Sequence, residues 1–271
     1  MRGEVIAIGD ELTSGVRLDT NSQWIAQQLG DLGVDVLYHT AVGDELAPMV
    51  DVLRVAANRA DVIVCTGGFG PTADDLTRDA IAQSQGVELV QYDAVLAHIR
   101  EIYAQRKRPM PERNVAQSMF PAGSRAIPNP HGTAPGIDME LTAGDASSAR
   151  IFALPGVPAE MKEMFASTVA PAIVEMIPPS ERCMVMHRRI KCFGIGESDL
   201  EAMLPDLIRR DHYPRVGITV SQATITLRVT AKEIDEATCL PAMQPTIATI
   251  RECLSDLAFG EEADELQHVV R

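Results

Sequence analysis

The sequence is poor in aromatic residues, which make up 4 % of 271 residues, with Trp24 the single tryptophan. Hydrophobic residues still reach 46 %, so a sizeable, mainly aliphatic core can be buried. No apolar run approaches the ~18 residues that a membrane-spanning helix needs. The five cysteines, Cys65, Cys183, Cys192, Cys239 and Cys253, contain no Cys-x-x-Cys pair. Their odd number and scatter argue against a zinc site or a disulfide framework and fit a reducing cytoplasm. Positive charge is in deficit, with 24 Lys and Arg against 38 Asp and Glu and a net charge of −14. That excludes a generally basic surface for nucleic acid or anionic membrane. An anionic small-molecule ligand must therefore meet a local positive or metal-bearing pocket. Met1-Arg2-Gly3-Glu4-Val5 leads straight into a strand pattern, so no signal peptide is expected and the expected location is cytoplasmic.

What is present is organised around Thr66-Gly67-Gly68-Phe69-Gly70-Pro71-Thr72-Ala73-Asp74-Asp75-Leu76-Thr77. The preceding Val62-Ile63-Val64-Cys65 reads as a buried parallel strand. Leu76, Ala80 and Ile81 have helical spacing. The stretch is thus strand, Gly-rich turn and helix start. Its glycines let the backbone approach a ligand closely, and free N–H groups at a helix start favour phosphate. Asp74 and Asp75 would repel a bare phosphate, so a bridging divalent cation with oxygen ligands is expected. The same two residues also suit plain helix capping, and a short Gly motif is weak by itself.

The rest of the chain converges on that place. Glu4 to Gly9 is a first buried strand followed by Asp10-Glu11. A helix cap at Thr20 or Asn21 opens a helix through Trp24, Ile25, Leu29 and Leu32. Val34 to Val42 is a second strand, followed by Gly43-Asp44-Glu45 and a helix through Met49, Val50, Leu53 and Ala57. Alternating strands and helices at this spacing predict a doubly wound, mostly parallel α/β sheet, with ligands at the carboxyl ends of its strands. Three strands there run into acidic loops, Asp10/Glu11, Asp44/Glu45 and Asp74/Asp75. Asp93 to Lys107 reads as an amphipathic helix ending in Arg106-Lys107-Arg108, which either complements the helix dipole or meets phosphates. Glu112 to Met119 suits a short helix. Pro128 to Gly136 reads as a loop over the site, with His131 a loop residue or a base. Arg150 to Leu154 is a further buried strand, and Pro158 starts a helix through Met164, Phe165, Val169 and Ile173.

Pro178-Pro179 marks the boundary between a domain at 1–178 and a smaller one at 179–271. In the second, Val185 to Phe193, a helix through Leu200, Met203, Leu204 and Ile208, strands Val216 to Val220 and Ala223 to Val229, and a helix from Asp235 to Leu257 give the order β-α-β-β-α. That order predicts a small α/β sandwich. Gly194-Ile195-Gly196 reads as a strand-to-helix turn.

Several long motifs in one order resemble the CinA (competence/damage-inducible protein A) family over nearly the whole chain. They are Gly9-Asp10-Glu11-Leu12, Asp19-Thr20-Asn21-Ser22, Thr66 to Thr72, Asp74-Asp75-Leu76-Thr77-Arg78, Arg108-Pro109-Met110-Pro111, Pro128 to Gly136, Leu154 to Lys162 and Phe193 to Ser198. Phe69, Ala73 and Val157 depart from the leucine and two prolines common there. The resemblance implies a first domain like the molybdopterin-binding fold of MogA and MoaB, and a nucleotide-diphosphate site at the Gly-rich turn. It also implies metal-dependent ADP-ribose pyrophosphatase activity, a divalent cation of the Mg or Co type with K as a further ion, and a homodimer. The chain stops where the family's nicotinamide mononucleotide deamidase domain would begin, so deamidase activity is not expected.

The resulting expectation is hydrolysis of ADP-ribose to AMP and ribose 5-phosphate. Gly67, Gly68, Gly70 and Thr72 hold phosphate oxygens. Asp10, Asp44 and Asp74 hold the metal, with Asp75 an alternative to Asp74. Asp10, Glu11 and Asp75 form the catalytic set, with Glu11 or Asp75 accepting the water proton. Asn21, Asn129 and Gly132 contact ribose or base, and Pro155, Gly156 and Glu160 line the opposite wall. The rivals are binding or adenylylation of a molybdopterin-type pterin, and a non-catalytic nucleotide-sensing module.

Overall fold

The computed structural model describes residues 1–142, 148–204, 206–221 and 223–269. It divides into two compact units, Met1–Pro178 and Pro179–Arg271.

In the first unit β1 (Arg2–Ile8), α1 (Asp10–Thr13), α2 (Thr20–Asp31), β2 (Asp35–Val42), α3 (Leu46–Arg59), β3 (Val62–Thr66) and α4 (Thr77–Gln85) follow in turn. Then come β4 (Leu89–Gln91), α5 (Asp93–Gln105), β5 (Met119–Pro121), β6 (Arg125–Ile127), β7 (Gly136–Thr142), β8 (Ser148–Leu154), α6 (Pro158–Met164) and α7 (Ala170–Met176). The main sheet has the order β2-β1-β3-β8-β7-β6. Its β2, β1, β3 and β8 run parallel, while β7 and β6 add antiparallel pairs at one edge. The sheet is therefore mixed and mostly parallel. A separate two-stranded pair joins β4 to β5.

Every residue of β3 is buried, as a central parallel strand covered on both faces requires. Its period-2 alternation splits two cores. Ile63 and Cys65 join the aliphatic cluster containing Met49, Leu53 and Ile81. Val62 and Val64 join the opposite cluster with Ile25, Leu29, Met161 and Phe165. The lone Trp24 packs edge-on against Phe165, ring centroids 5.4 Å apart.

One charged group crosses the first core. Glu4 on β1 is fully buried. Arg59 at the end of α3 clasps it with Nε–Oε2 2.8 Å and Nη2–Oε1 2.6 Å. Thr40 on β2 donates to the same carboxylate at 2.7 Å, and the guanidinium lies 3.8 Å from the Tyr38 ring centroid. The bidentate geometry satisfies a carboxylate that could not be buried alone.

Several boundaries differ from the sequence expectation. Asp19, not Thr20 or Asn21, caps α2, accepting from Ser22 N at 2.9 Å. The helix after Pro158 is interrupted by a π turn over Phe165–Val169. β4 to β7 are short or antiparallel and carry no clear alternation, so periodicity did not reveal them.

The second unit contains β9 (Met184–Phe193), α8 (Glu197–Met203), β10 (Arg215–Ser221), β11 (Thr224–Glu233), α9 (Glu236–Leu254), β12 (Ala258–Glu261) and α10 (Leu266–Val269). Its sheet has the order β10-β11-β9-β12 and is antiparallel throughout. β12 extends the expected β-α-β-β-α pattern by one strand. Helix α8 stops at Met203 rather than running through Ile208. Pro205 and Gln222, which fall in the expected helix and turn, lie outside the described residues. A reciprocal Asp235–Thr238 capping box starts α9. Among the described residues no helix is long and apolar enough to cross a membrane.

Arg59→Ala strands the Glu4 carboxylate in the core. The expected loss is at the lower end of ~3–5 kcal/mol, because Arg59 itself keeps part of its side chain in solvent. Urea unfolding monitored by circular dichroism measures it, and an unchanged midpoint would contradict the clasp.

Candidate functional site

The carboxyl ends of β1, β2 and β3 lie side by side, and each runs directly into a polar loop. Beside them opens a cavity of ≈ 540 Å³. Its walls come from Ile8, Gly9, Glu11 and Leu12 after β1, the loop 17–21 into α2, Asp44 after β2, residues 66–70 with Asp74 and Asp75 after β3, and residues 155–158 with Glu160 entering α6. Gln117, Thr133 and Ala134 complete it. This is where open parallel sheets bind ligands.

The Gly-rich turn is shaped by steric necessity. Gly67 has φ +112° and Gly68 φ +65°, both in the region that favours glycine. A Cβ on Gly67 would run into the carbonyl oxygen of Ile8. The turn is held from several sides. Thr77 Oγ1 donates to Gly67 O at 2.8 Å. Arg78, buried beneath the turn, donates to Phe69 O at 3.2 Å and Gly70 O at 2.8 Å. Gln117 also donates to Phe69 O. Burial pulls the Arg78 guanidinium below its ordinary value, an effect that Asp75 and Asp79 oppose. Among the described residues the N–H groups of Gly68 and Phe69 find no acceptor, although both residues line the cavity.

Asp75 does a different job from the one expected. Its carboxylate accepts from Gly70 N at 2.6 Å, Thr72 N at 2.8 Å and Thr72 Oγ1 at 2.5 Å. It closes the turn on itself, so these oxygens are engaged by the turn rather than offered to a water. The Gly70 N–H and the Thr72 groups are thereby already used and are corrected from phosphate donors to parts of the turn. Neither aspartate caps α4, whose N-cap position is Leu76.

Asp10 and Asp44 form a reciprocal pair. Asp10 N donates to Asp44 Oδ2 and Asp44 N donates to Asp10 Oδ1, each at 3.0 Å. This ties the end of β1 to the end of β2. Asp10 itself lies outside the cavity lining, whereas Asp44 and Glu11 lie in it. Burial, with added repulsion from Asp10, Glu11 and Asp74, pushes the Asp44 carboxyl above its ordinary range. Among the described residues no group of three or more His, Cys, Asp or Glu side chains is arranged as a ready-made metal site. The three-aspartate cage of Asp10, Asp44 and Asp74 is therefore not assembled. A Mg²⁺-type ion that takes one or two carboxylates and completes its shell with water and phosphate oxygens fits Asp44 and Asp74 better.

Asn21, Pro155, Gly156 and Glu160 reach the cavity as expected. Asn21 Nδ2 donates to Gly156 O at 2.9 Å, pinning the start of α2 to the loop before α6. Asn129 and Gly132 do not reach it. Asn129 is buried, donates to Glu160 Oε2 at 2.7 Å and Ala134 O at 2.9 Å, and accepts from His131 N and Gly132 N. It is thus a brace for the 129–136 loop and for Glu160. His131 pairs with Glu163 at 2.7 Å, and neither it nor Arg106-Lys107-Arg108 lines the cavity. Arg17 and Thr66 do line it and were missed. Arg17 sits in a loop without periodicity, and Thr66 reads only as the last residue of a strand.

Comparison with known proteins identifies the family of both units. Residues 4–175 match the family model described as "Probable molybdopterin binding domain". Residues 187–260 match "Damage-inducible protein CinA KH domain". The chain is 35 % identical over 266 residues to a competence-damage inducible protein from Lysinibacillus sphaericus, covering 98 % of this chain and 62 % of the relative. It is 36 % identical over 278 residues to a CinA-like protein from Frankia casuarinae, covering 100 % of this chain and 63 % of the relative. The chain thus spans less than two thirds of these curated relatives. The crystal structure of CinA, of unknown function, from Thermoplasma acidophilum superposes with a TM-score of 0.57 at 31 % identity, covering 63 % of this chain and 96 % of that one.

Gly67→Ala forces a Cβ into the Ile8 carbonyl at a positive φ, and strain of this kind costs about 1–3 kcal/mol. A lower thermal midpoint together with lost ligand binding is the expected pair of outcomes. For Asp44, a raised carboxyl value means that the native state holds its proton more tightly than the unfolded chain. Its contribution to stability is full below the unfolded value and is lost as pH rises through the folded one. Asp44→Asn is therefore expected to raise the thermal midpoint at pH 7 but not at pH 3. Melting curves at the two values check this, and equal shifts would refute it.

Proposed function

The chain belongs to the CinA family, joining a molybdopterin-binding-type unit to a CinA KH unit, and from that premise we propose that the first unit hydrolyses ADP-ribose, or a related nucleoside diphosphate compound, to AMP and ribose 5-phosphate. One observation carries this reading. The N–H groups of Gly68 and Phe69, which have no acceptor among the described residues, adjoin the same cavity as the carboxylates of Glu11, Asp44 and Asp74. Backbone donors suit phosphate oxygens. Carboxylates beside them would repel a diphosphate unless a cation intervenes.

Asp44 and Asp74 would hold a divalent cation, which supplies charge neutralisation and Lewis acidity at the diphosphate. The chain's own groups do the rest. Gly68 and Phe69 N–H groups orient one phosphate. Glu11 folds back over Gly9, where a Cβ would stand 2.6 Å from its Oε2, and its carboxylate accepts a proton from the attacking water. The water oxygen bonds one phosphorus as the bridging oxygen leaves with the other phosphate. Glu160, braced by Asn129, accepts from sugar hydroxyls, and Asn21 keeps the two walls together.

The family description favours a second reading, in which the same cavity binds a molybdopterin-type pterin. Incubation of the full chain with ADP-ribose and Mg²⁺ or Co²⁺ separates the two. AMP release that stops on chelation, and falls about 10²-fold or more in Asp44→Asn, is expected. No AMP release alongside tight pterin binding would replace the proposal with the second reading.

A further inference from the structure

The cavity carries a conspicuous imbalance. Six of its lining residues are acidic, Glu11, Asp19, Asp44, Asp74, Asp75 and Glu160, and Arg17 is the one Lys, Arg or His among its described lining residues. We propose that Arg17 is the residue that selects linked phosphates, a diphosphate over a monophosphate, at this site. The inference rests on the anionic-ligand reading above and assigns a group to it.

The main chain around Arg17 is fixed while its side chain is not. Gly15 N donates to Leu12 O at 3.1 Å, Arg17 N to Glu11 O at 3.0 Å, and Thr20 N to Leu18 O at 3.0 Å. The loop is thereby closed onto the end of β1 and the start of α2. Among the described residues the Arg17 guanidinium takes neither an ion-pair nor a hydrogen-bond partner, despite the carboxylates around it. Its neighbours Val16 and Leu18 are 83 % and 85 % exposed, so neither packs the side chain into a core. A guanidinium fork without a partner among the described residues, at the rim of an acidic cavity, is placed to receive an incoming anion. The planar guanidinium matches phosphate oxygens two at a time.

The Gly-rich turn follows β3 and the Arg17 loop follows β1, and these strands are neighbours in the sheet. Both loops line the same cavity, and the assignment seats one of two linked phosphates on the Gly68 and Phe69 N–H groups and the other on Arg17. A monophosphate touches only one of them. Cleavage of the P–O–P link therefore divides the ligand between two half-sites and weakens the hold on each product.

The test uses inorganic diphosphate and orthophosphate, each with Mg²⁺, and limited trypsin digestion of the full chain. Trypsin must take the Arg17 side chain into its own pocket to cut after it. Diphosphate is expected to slow that cut at concentrations where orthophosphate does not. Arg17→Gln is expected to raise KM for ADP-ribose about tenfold or more, with kcat and thermal midpoint little changed and Arg17→Lys recovering part of the loss. Arg100→Gln, on the exposed side of α5, removes one positive charge elsewhere and should change nothing. Equal cutting after Arg17 with and without diphosphate, together with an unchanged KM in Arg17→Gln, overturns the inference. If the wild-type chain releases no AMP yet diphosphate still protects Arg17, the hydrolase reading fails and the assignment of Arg17 stands.

Discussion

The site depends on a contact that only bare backbone can make. Gly67 sits against the carbonyl of Ile8, where a side chain has no room. That close approach brings the ends of β1 and β3 together and turns the chain back sharply enough for Thr77 and Arg78 to reach the carbonyls of the turn. Asp75 then ties off the N–H groups of Gly70 and Thr72. Among the described residues the N–H groups of Gly68 and Phe69, which line the cavity, have no acceptor. A preorganised donor of this kind does not have to reorganise when charge arrives.

The electrostatics follow from the same convergence. Parallel strands end on one edge, so loops distant in sequence become neighbours, and their carboxylates crowd. Burial raises the Asp44 carboxyl above its ordinary range, and repulsion from Asp10, Glu11 and Asp74 adds to it. A sheet edge arranged for packing alone gains nothing from such repulsion, which disfavours the folded state near neutral pH. The arrangement makes chemical sense when a cation and an anion enter together. Arg78 lies buried beneath the turn and donates to its carbonyls, whereas Arg17 at the rim is exposed and takes no partner among the described residues.

Much of the fold was legible because burial imposes a period. Val62 to Cys65 and Val5 to Ile8 are continuous apolar runs because both of their faces are covered. The helices α2 and α3 show apolar stripes because only one face is covered. β6 and β12 were not legible, since short edge strands lack a pattern that distinguishes them from loops, and the interior β7 has no clean alternation either. In the site, the residues that the sequence brings into view through motif chemistry, Glu11, Asp44, Asp74 and the glycines, do meet at one cavity. Asp10, Asp75, Thr72 and Asn129 belong to the same motifs but spend polar atoms on hydrogen bonds within the protein. Residue type cannot tell a carboxylate that faces a ligand from one that closes a turn.

By itself the sequence determined the alternation of strands and helices, the break at Pro178-Pro179, the family, and the edge of the sheet at which the cavity opens. Each of these is written in local composition and spacing. The tertiary structure alone decided which polar groups are already satisfied and which still face the cavity. That outcome depends on partners tens of residues away, Asp44 for Asp10 and Glu160 for Asn129, and no local pattern encodes the direction in which a side chain finds its hydrogen bond.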